Sequence, residues 1–254
     1  MKDVVDLKAI HNKRCEESLP EYQSAMIHNM ATNFIFECGI RLHLLPDTIA
    51  TAAMFYHNFF KKAKEDDYDC HVISLACLCA AAKSRYETFR FTDAIYIAIN
   101  SLHRGALPMK FREDYWSLQG TLIKAELLVL RQLNFELDTV SAHRYLLHYL
   151  RSLQEWFAES QQSTSKIART AMAFLQDFHH SSSIADYRAP HVAVACLTLA
   201  LLVFGVPPPL ASTHGDDVAW YSVFTKDLQK DKIWEIMDKI MQVYITHPSK
   251  KSYI

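Results

Sequence analysis

A chain of 254 residues is long enough for one large domain or for two of about 100–130 residues each. Half of the residues are hydrophobic, which excludes a disordered chain, and a formal net charge of −1 argues against a general nucleic-acid binder, whose affinity needs surplus Lys and Arg. With only 5 glycines the chain has few tight turns, so long helices are favoured over many short strands.

The compartment is indicated by cysteine usage and by the apolar runs. Six cysteines are present without a C-x-x-C pair, which is typical of a reduced, intracellular protein. The first 24 residues are polar and do not form a signal peptide. The longest apolar runs, 72–82 and 192–206, fall short of the roughly 18 residues that a membrane span needs. We expect a soluble protein of the nucleus and/or cytoplasm.

The spacing of apolar residues predicts five helices in the first half of the chain. The first spans 27–45, and Pro46 suits the first turn of the second. The third, from Val72 to Ala82, is apolar on all sides and must be surrounded by other helices, with Asp69 as its N-cap. A short fourth helix is predicted near 92–100 and a long fifth over 112–133. The apolar stripe of the first helix consists of Ile27, Met30, Phe34, Cys38, Leu42 and Leu45.

The second half repeats this order beyond a connector at 134–139. Five further helices are predicted near 145–156, 167–178, 190–205, 220–224 and 233–244. Ala76-Cys77-Leu78 and Ala195-Cys196-Leu197 occupy matching places in the two central apolar helices, 119 residues apart. The simplest architecture is therefore all-α, with two stacked helical repeats over 25–137 and 138–246. An N-terminal segment, 1–24, which forms either a short amphipathic helix or a frayed tail, and a C-terminal tail, 247–254, flank them.

Two charged residues interrupt the apolar pattern of the first repeat. Lys83 ends the central helix and Glu126 lies within the apolar run of the fifth helix, so each needs a partner or an opening to water. If the two helices pack side by side, both groups approach one another at one edge of the bundle. An internal salt bridge, or two separate exits to solvent, would explain them. The second repeat carries Leu202 at the position of Lys83, which favours recognition over a folding requirement.

The runs Ala80–Lys83 and Glu126–Phe135 resemble the cyclins, whose lysine follows small residues and whose glutamate precedes an apolar cluster and Leu-x-Phe. Among cyclins, Tyr145–Leu150 with the following Ser152–Gln154, and Pro190–Ala195, resemble the cyclin Q type. The resemblance covers 27–246 and implies an all-α fold of two tandem five-helix cyclin boxes.

The resemblance also implies a function without chemistry of its own. In cyclins, the residues matching Lys83 and Glu126 hydrogen-bond backbone groups of the regulatory helix of a cyclin-dependent kinase. The residues matching Leu130, Phe135 and Leu137 pack on that helix and hold it in its active position, so the equilibrium of the kinase shifts. The implied assembly is a heterodimer, and the kinase implied for cyclin Q types is the one numbered ten. No cofactor is implied.

Two departures from the cyclin pattern stand out. Many cyclins follow the lysine with an aromatic or apolar residue and two glutamates, whereas this chain has Ser84-Arg85-Tyr86 before Glu87. We therefore expect altered contacts with the kinase activation segment. Residues 30–45 also lack the Met-Arg-Ala-Ile-Leu motif by which cell-cycle cyclins capture substrates.

Four other classes of function compete with this one: metal binding, catalysis, DNA binding and scaffolding. The 13 histidines suggest metal binding, but no H-E-x-x-H and no zinc-type Cys/His spacing is present, so we expect no metal site. Neither G-x-S-x-G nor a phosphate-binding glycine loop is present, so we expect no catalytic residues.

The main alternative is a double cyclin fold like that of general transcription factor IIB, which binds DNA and polymerase. It needs a basic face across both repeats, and a scaffold for an unrelated partner remains a third hypothesis.

Overall fold

The fold is taken from a computed structural model that describes residues 20–103, 113–154, 164–206 and 220–246. These residues form nine α-helices and no strand, which confirms the all-α prediction. The helices are α1 (Pro20–Arg41), α2 (Pro46–Phe60), α3 (Cys70–Ser84), α4 (Phe91–Leu102), α5 (Glu113–Gln132), α6 (Ala142–Ser152), α7 (Thr164–Phe178), α8 (Ala189–Val203) and α9 (Lys230–Thr246). Short 3₁₀ turns lie at Glu65–Asp67, Ser182–Asp186 and Trp220–Val223.

The helices pack into two groups, each around one buried helix. In the first group α3 contacts α1, α2 and α5, and in the second α8 contacts α6, α7 and α9. Every residue of α3 from Ile73 to Ala82 is buried, as its apolar sequence predicts. Cys77 and Cys79 behave as buried apolar side chains, and burial raises the pKa of the Cys79 thiol to about 12.

The two groups share their register along the chain. The central helices α3 and α8 each contain 15 residues, and α8 begins 119 positions after α3. The pair α2 and α7 also matches in length, with 15 residues each and an offset of 118. In the second group a 3₁₀ turn, Trp220–Val223, stands where a short α-helix was predicted at 220–224. A duplicated helical unit therefore accounts for the order of elements in the described ranges.

The ends of the helices follow from local sequence. The Asp69 carboxylate accepts hydrogen bonds from the backbone N–H of His71 (2.8 Å) and of Val72 (3.2 Å), which caps α3 as predicted. Pro46 lies in the first turn of α2, also as predicted. Helix α1 begins at Pro20, inside the predicted N-terminal segment, whose residues 1–19 lie outside the described part, as does the tail 247–254.

The predicted stripe of the first helix was wrong at both ends. Leu45 lies outside α1 with 62% of its surface exposed, while Ile27 and Met30 are also exposed. Helix α1 ends early because His43 adopts a left-handed φ of 57° and the Leu44 N–H donates to the Gly39 carbonyl at 3.0 Å. Leu45 then precedes a proline and takes an extended backbone conformation, which ends any helix there.

The two groups meet at a junction of buried histidines. The His57 ring nitrogen Nε2 lies 2.9 Å from the His179 carbonyl, and the ring of His179 stacks on that of His143. Lys61 pairs with Asp186 at 2.6 Å across the same junction.

Among the described helices, none has the length and apolar character that a membrane span requires.

Candidate functional site

The predicted approach of a lysine on α3 to a glutamate on α5 is present. The Lys83 ammonium lies 2.7 Å from each carboxylate oxygen of Glu126. It also lies 5.0 Å from the centre of the Phe91 ring at the start of α4, in reach of a cation–π contact. Three helices therefore meet at one ion pair.

The two partners of this pair differ in exposure. The Glu126 side chain is only 10% exposed, whereas the Lys83 side chain is 54% exposed. A carboxylate at that depth needs its counter-charge, so the salt-bridge interpretation is correct as far as the fold is concerned. The same geometry leaves the lysine open to solvent at the rim, so pairing within the chain and contact with a partner are compatible.

Beside the ion pair, α5 presents an exposed apolar stripe that was not predicted as functional. Trp116 is 66% exposed, Ile123 52% and Leu127 43%. Their spacing of seven and four residues keeps them on one side of the helix, and Ile123 and Leu127 flank Glu126. We call Lys83, Glu126, Trp116, Ile123 and Leu127 the α5 surface. Sequence reasoning missed the three apolar residues because exposed and buried apolar side chains look alike in a periodic pattern.

The three predicted apolar contacts differ in accessibility. Phe135, just beyond α5, is 62% exposed, with its backbone in the left-handed region at a φ of 59°. Leu130 and Leu137 are half-buried and pack partly against the core of the first group. Phe135 is therefore the most exposed of the three, while the two leucines serve the fold as well.

Tyr86, which follows α3, is the most exposed large apolar side chain in the described part of the chain, at 94%. Its φ of 59° is a conformation that costs a non-glycine residue about 1–2 kcal/mol. The equivalent position at the end of α8 is Gly205, 119 residues later, with a φ of 63°. A strained and exposed aromatic residue therefore stands where the other copy has the glycine that this backbone conformation favours. The glycine at this offset is the sequence signal that could have revealed it.

The other two residues of this loop bind within the chain. The Arg85 guanidinium pairs with Asp47 at 3.1 Å and donates to the Thr51 hydroxyl at 3.0 Å and to the Thr139 carbonyl at 3.1 Å. The Glu87 carboxylate accepts hydrogen bonds from the Leu45 N–H at 3.0 Å and from the Thr48 hydroxyl, so it holds the loop to the start of α2. The altered charge at Arg85 thus serves the fold, and Tyr86 alone among these three faces outward.

Within the described ranges, one group of side chains offers metal-ligand atoms at short mutual distances: Asp69, Cys70 and His71. The Asp69 oxygen already caps α3, and partial burial together with nearby acidic groups raises the pKa of the Cys70 thiol to about 11. Both effects work against metal binding, and nothing further at this position points to an ion.

Comparison with known proteins identifies this helical arrangement. Residues 4–138, just over half of the chain, match the family described as the N-terminal domain of cyclins. Two groups of helices, each packed around one buried helix, are the arrangement of a cyclin-fold protein. The chain belongs to the cyclin family.

The relatives extend the similarity over both groups of helices. Mouse cyclin-L2 is 25% identical over 210 residues, which cover 81% of this chain and 38% of that protein. Arabidopsis thaliana cyclin-T1-5 is 25% identical over 215 residues, covering 83% of this chain and 35% of that protein. The chain thus spans less than two fifths of the length of each of these two relatives. A chain of the yeast RNA polymerase II CTD kinase complex CTDK-1 superposes with a TM-score of 0.70 at 16% identity, covering 89% of this chain and 68% of that one.

Proposed function

We propose that this protein is the regulatory subunit of a cyclin-dependent kinase and that the α5 surface, with Tyr86 and Phe135, binds the kinase. The observation that carries the proposal is the ion pair of Lys83 and Glu126 at the rim of an exposed apolar stripe. Family membership supports it, and the similar chain in CTDK-1 belongs to a kinase complex. The protein contributes contacts, and the kinase performs the phosphoryl transfer.

The mechanism is a shift in the population of kinase conformations. The Lys83 ammonium retains solvent-facing donor capacity, and the Glu126 carboxylate has lone pairs beyond those facing Lys83, so both can bind the main chain of an incoming helix. Trp116, Ile123 and Leu127 then bury the apolar side of that helix. Because these contacts form only with the regulatory helix held inward, binding favours the active kinase.

The identity of the kinase is the finer part of the proposal. The runs at 145–150 and 190–195 resemble cyclin Q, and this resemblance favours the cyclin-dependent kinase numbered ten. The cyclin-L and cyclin-T relatives make the partner kinases of those cyclins the competing candidates. The general-transcription-factor alternative is less favoured, because the family match lies with the cyclins. We also propose a location in the nucleus and/or cytoplasm, which the cysteine usage of the sequence supports.

The test is co-expression of the chain with each candidate kinase, followed by co-purification and measurement of phosphotransfer with and without the chain. We expect one kinase to co-purify and its phosphotransfer rate to rise at least tenfold. Leu127→Asp should abolish both effects, whereas Leu147→Asp, which alters a more exposed leucine on α6 (56% against 43%), should change neither. Equal loss with both variants, or no kinase bound at all, overturns the proposal.

A further inference from the structure

Helix α9, in the second group, carries an exposed apolar stripe of its own. Trp234 is 55% exposed, Met241 44% and Ile245 80%. The opposite side of the helix, with Ile236 and Ile240, is completely buried in the second core. We call Trp234, Met241 and Ile245 the α9 stripe.

The α9 stripe is a copy of the stripe on α5. Trp234, Met241 and Ile245 repeat the spacing of Trp116, Ile123 and Leu127, each 118 residues later, and both stripes begin with tryptophan. The buried residues between them correspond as well: Leu122 and Ala125 of α5 match Ile240 and Val243 of α9. One duplicated unit therefore presents the same apolar face twice.

The charged pair is missing from the second copy. The positions of Lys83 and Glu126 are occupied by Leu202, which is 51% exposed, and by Tyr244, whose hydroxyl donates to the Asp177 carboxylate at 2.6 Å. Neither residue offers a charge to a partner's main chain. An apolar stripe without such a pair is suited to bind the side of an uninterrupted partner helix, through contacts between side chains alone.

One charged residue interrupts the α9 stripe. Trp234, Asp238, Met241 and Ile245 follow the four- and three-residue alternation of a coiled-coil seam, with Asp238 between two apolar positions. The Asp238 carboxylate accepts a hydrogen bond from the Gln242 amide at 2.8 Å and stays at the surface. Covering this carboxylate with a purely apolar helix would cost free energy, whereas a facing cation would compensate it and fix the register of the two helices.

We propose that the α9 stripe binds an amphipathic helix of a partner protein, and that the apolar seam of this helix carries one Lys or Arg opposite Asp238. A second copy of this chain fits less well. In a two-fold symmetric pair of antiparallel α9 helices, the self-complementary contact would bring two Asp238 carboxylates to the centre of an apolar interface. The proposal is independent of kinase binding at the α5 surface.

The test uses the full chain and two synthetic amphipathic peptides of about three heptads, with leucine along the seam and a single seam position changed to Lys in one and to Glu in the other. Fluorescence anisotropy of the labelled peptides measures binding. We expect the Lys peptide to bind at least tenfold more tightly than the Glu peptide. Asp238→Lys should reverse this preference, and Trp234→Ala should weaken binding of the Lys peptide at least tenfold.

Trp116→Ala is the matched control, because it removes the equivalent tryptophan from α5. We expect it to leave peptide binding unchanged, and Trp234→Ala to leave kinase binding unchanged. The proposal is overturned if neither peptide binds, if Trp116→Ala removes binding while Trp234→Ala does not, or if charge at position 238 has no effect. It is also overturned if sedimentation shows a dimer of the chain that Trp234→Ala dissociates.

Discussion

The Lys83 ammonium and the Glu126 carboxylate lie 2.7 Å apart, with the lysine half-exposed and the glutamate almost completely buried. Lys83→Met keeps most of the aliphatic stem but leaves the buried carboxylate without its counter-charge. We expect the free energy of unfolding to fall by about 1–3 kcal/mol, because an unpaired buried acceptor retains its desolvation cost. Urea denaturation at neutral pH measures the change.

The double variant Lys83→Met with Glu126→Gln separates stability from recognition. Neutralising both groups should restore most of the lost stability, since no buried charge remains without a partner. Kinase binding should stay weak in the double variant, because the two side chains that bind the main chain of the kinase have lost their charge. A double variant that is stable and binds the kinase as tightly as the original protein contradicts the assigned role of the pair.

Tyr86→Gly tests whether the strained tyrosine is kept for binding. Glycine relieves the cost of the positive φ but adds about 0.5–1 kcal/mol of backbone entropy to the unfolded chain, so stability should stay level or rise by up to about 1 kcal/mol. Kinase binding should weaken about tenfold, as expected when an exposed aromatic anchor is lost. Tyr96→Ala, an exposed tyrosine on α4, should leave binding intact. Unchanged binding in Tyr86→Gly would remove this residue from the interface.

Two glycines in helices should respond oppositely to alanine. A Cβ on Gly39 of α1 would lie 2.6 Å from Cγ1 of Ile49 on α2, whereas nothing lies within 4 Å of a Cβ on Gly120 of α5. We expect Gly39→Ala to cost about 1–3 kcal/mol from overpacking and Gly120→Ala to gain about 0.5–1 kcal/mol. Thermal unfolding of both variants provides the measurement. Adding Ile49→Ala to Gly39→Ala should destabilise by less than the sum of the single effects, and additivity would contradict a direct clash.

The junction histidines predict a loss of stability in acid. Burial lowers the pKa of His57 to about 4 and that of His179 to about 3, and the nearby His28, His180 and Lys61 further oppose a charge on His57. Protonation therefore favours the unfolded chain. The free energy of unfolding should fall as the pH drops from about 6.5 towards 4, by up to about 1.4 kcal/mol per pH unit for each histidine.

Urea denaturation between pH 7.5 and 4.5 measures this slope. His57→Gln should make the slope shallower, because glutamine keeps a donor for the His179 carbonyl and does not titrate. The same substitution at His148, at an exposed position on α6, is the control for the exchange of histidine for glutamine itself. A slope that is the same in all three proteins would assign the acid sensitivity to other groups.

The helices and the ion pair were predictable because their signals are local or periodic. An all-round apolar run defines α3 and an N-cap aspartate defines its start. Two isolated charges in apolar surroundings indicated either a pair or two separate exits to solvent, and the structure shows the pair. The early end of α1 was not predictable from the stripe alone, because His43 carries no turn signal and yet adopts a left-handed backbone. The spacing of apolar residues also could not predict the exposure of Trp116, Ile123 and Leu127, because the packing of neighbouring helices decides which apolar face stays uncovered.

The contacts of Arg85 were likewise not predictable from the sequence. As a charge next to the candidate site, it was expected to alter contacts with a partner. Three groups from α2 and from the segment after α5 bind it within the chain, and these groups are distant in sequence. The altered contact with a partner stays a prediction. A long side chain can bind any group that the fold brings within its reach, and most of these groups are not its neighbours in sequence. Its contacts are therefore hard to predict from the sequence.

The loop that carries Tyr86 is fastened on both sides: Arg85 holds it to Asp47, Thr51 and Thr139, and Glu87 holds it to the start of α2. The backbone of a tyrosine on such a support loses little further freedom when another molecule covers the side chain. That part of the entropic cost of association is met during folding, and only the rotamers of the side chain remain to be fixed.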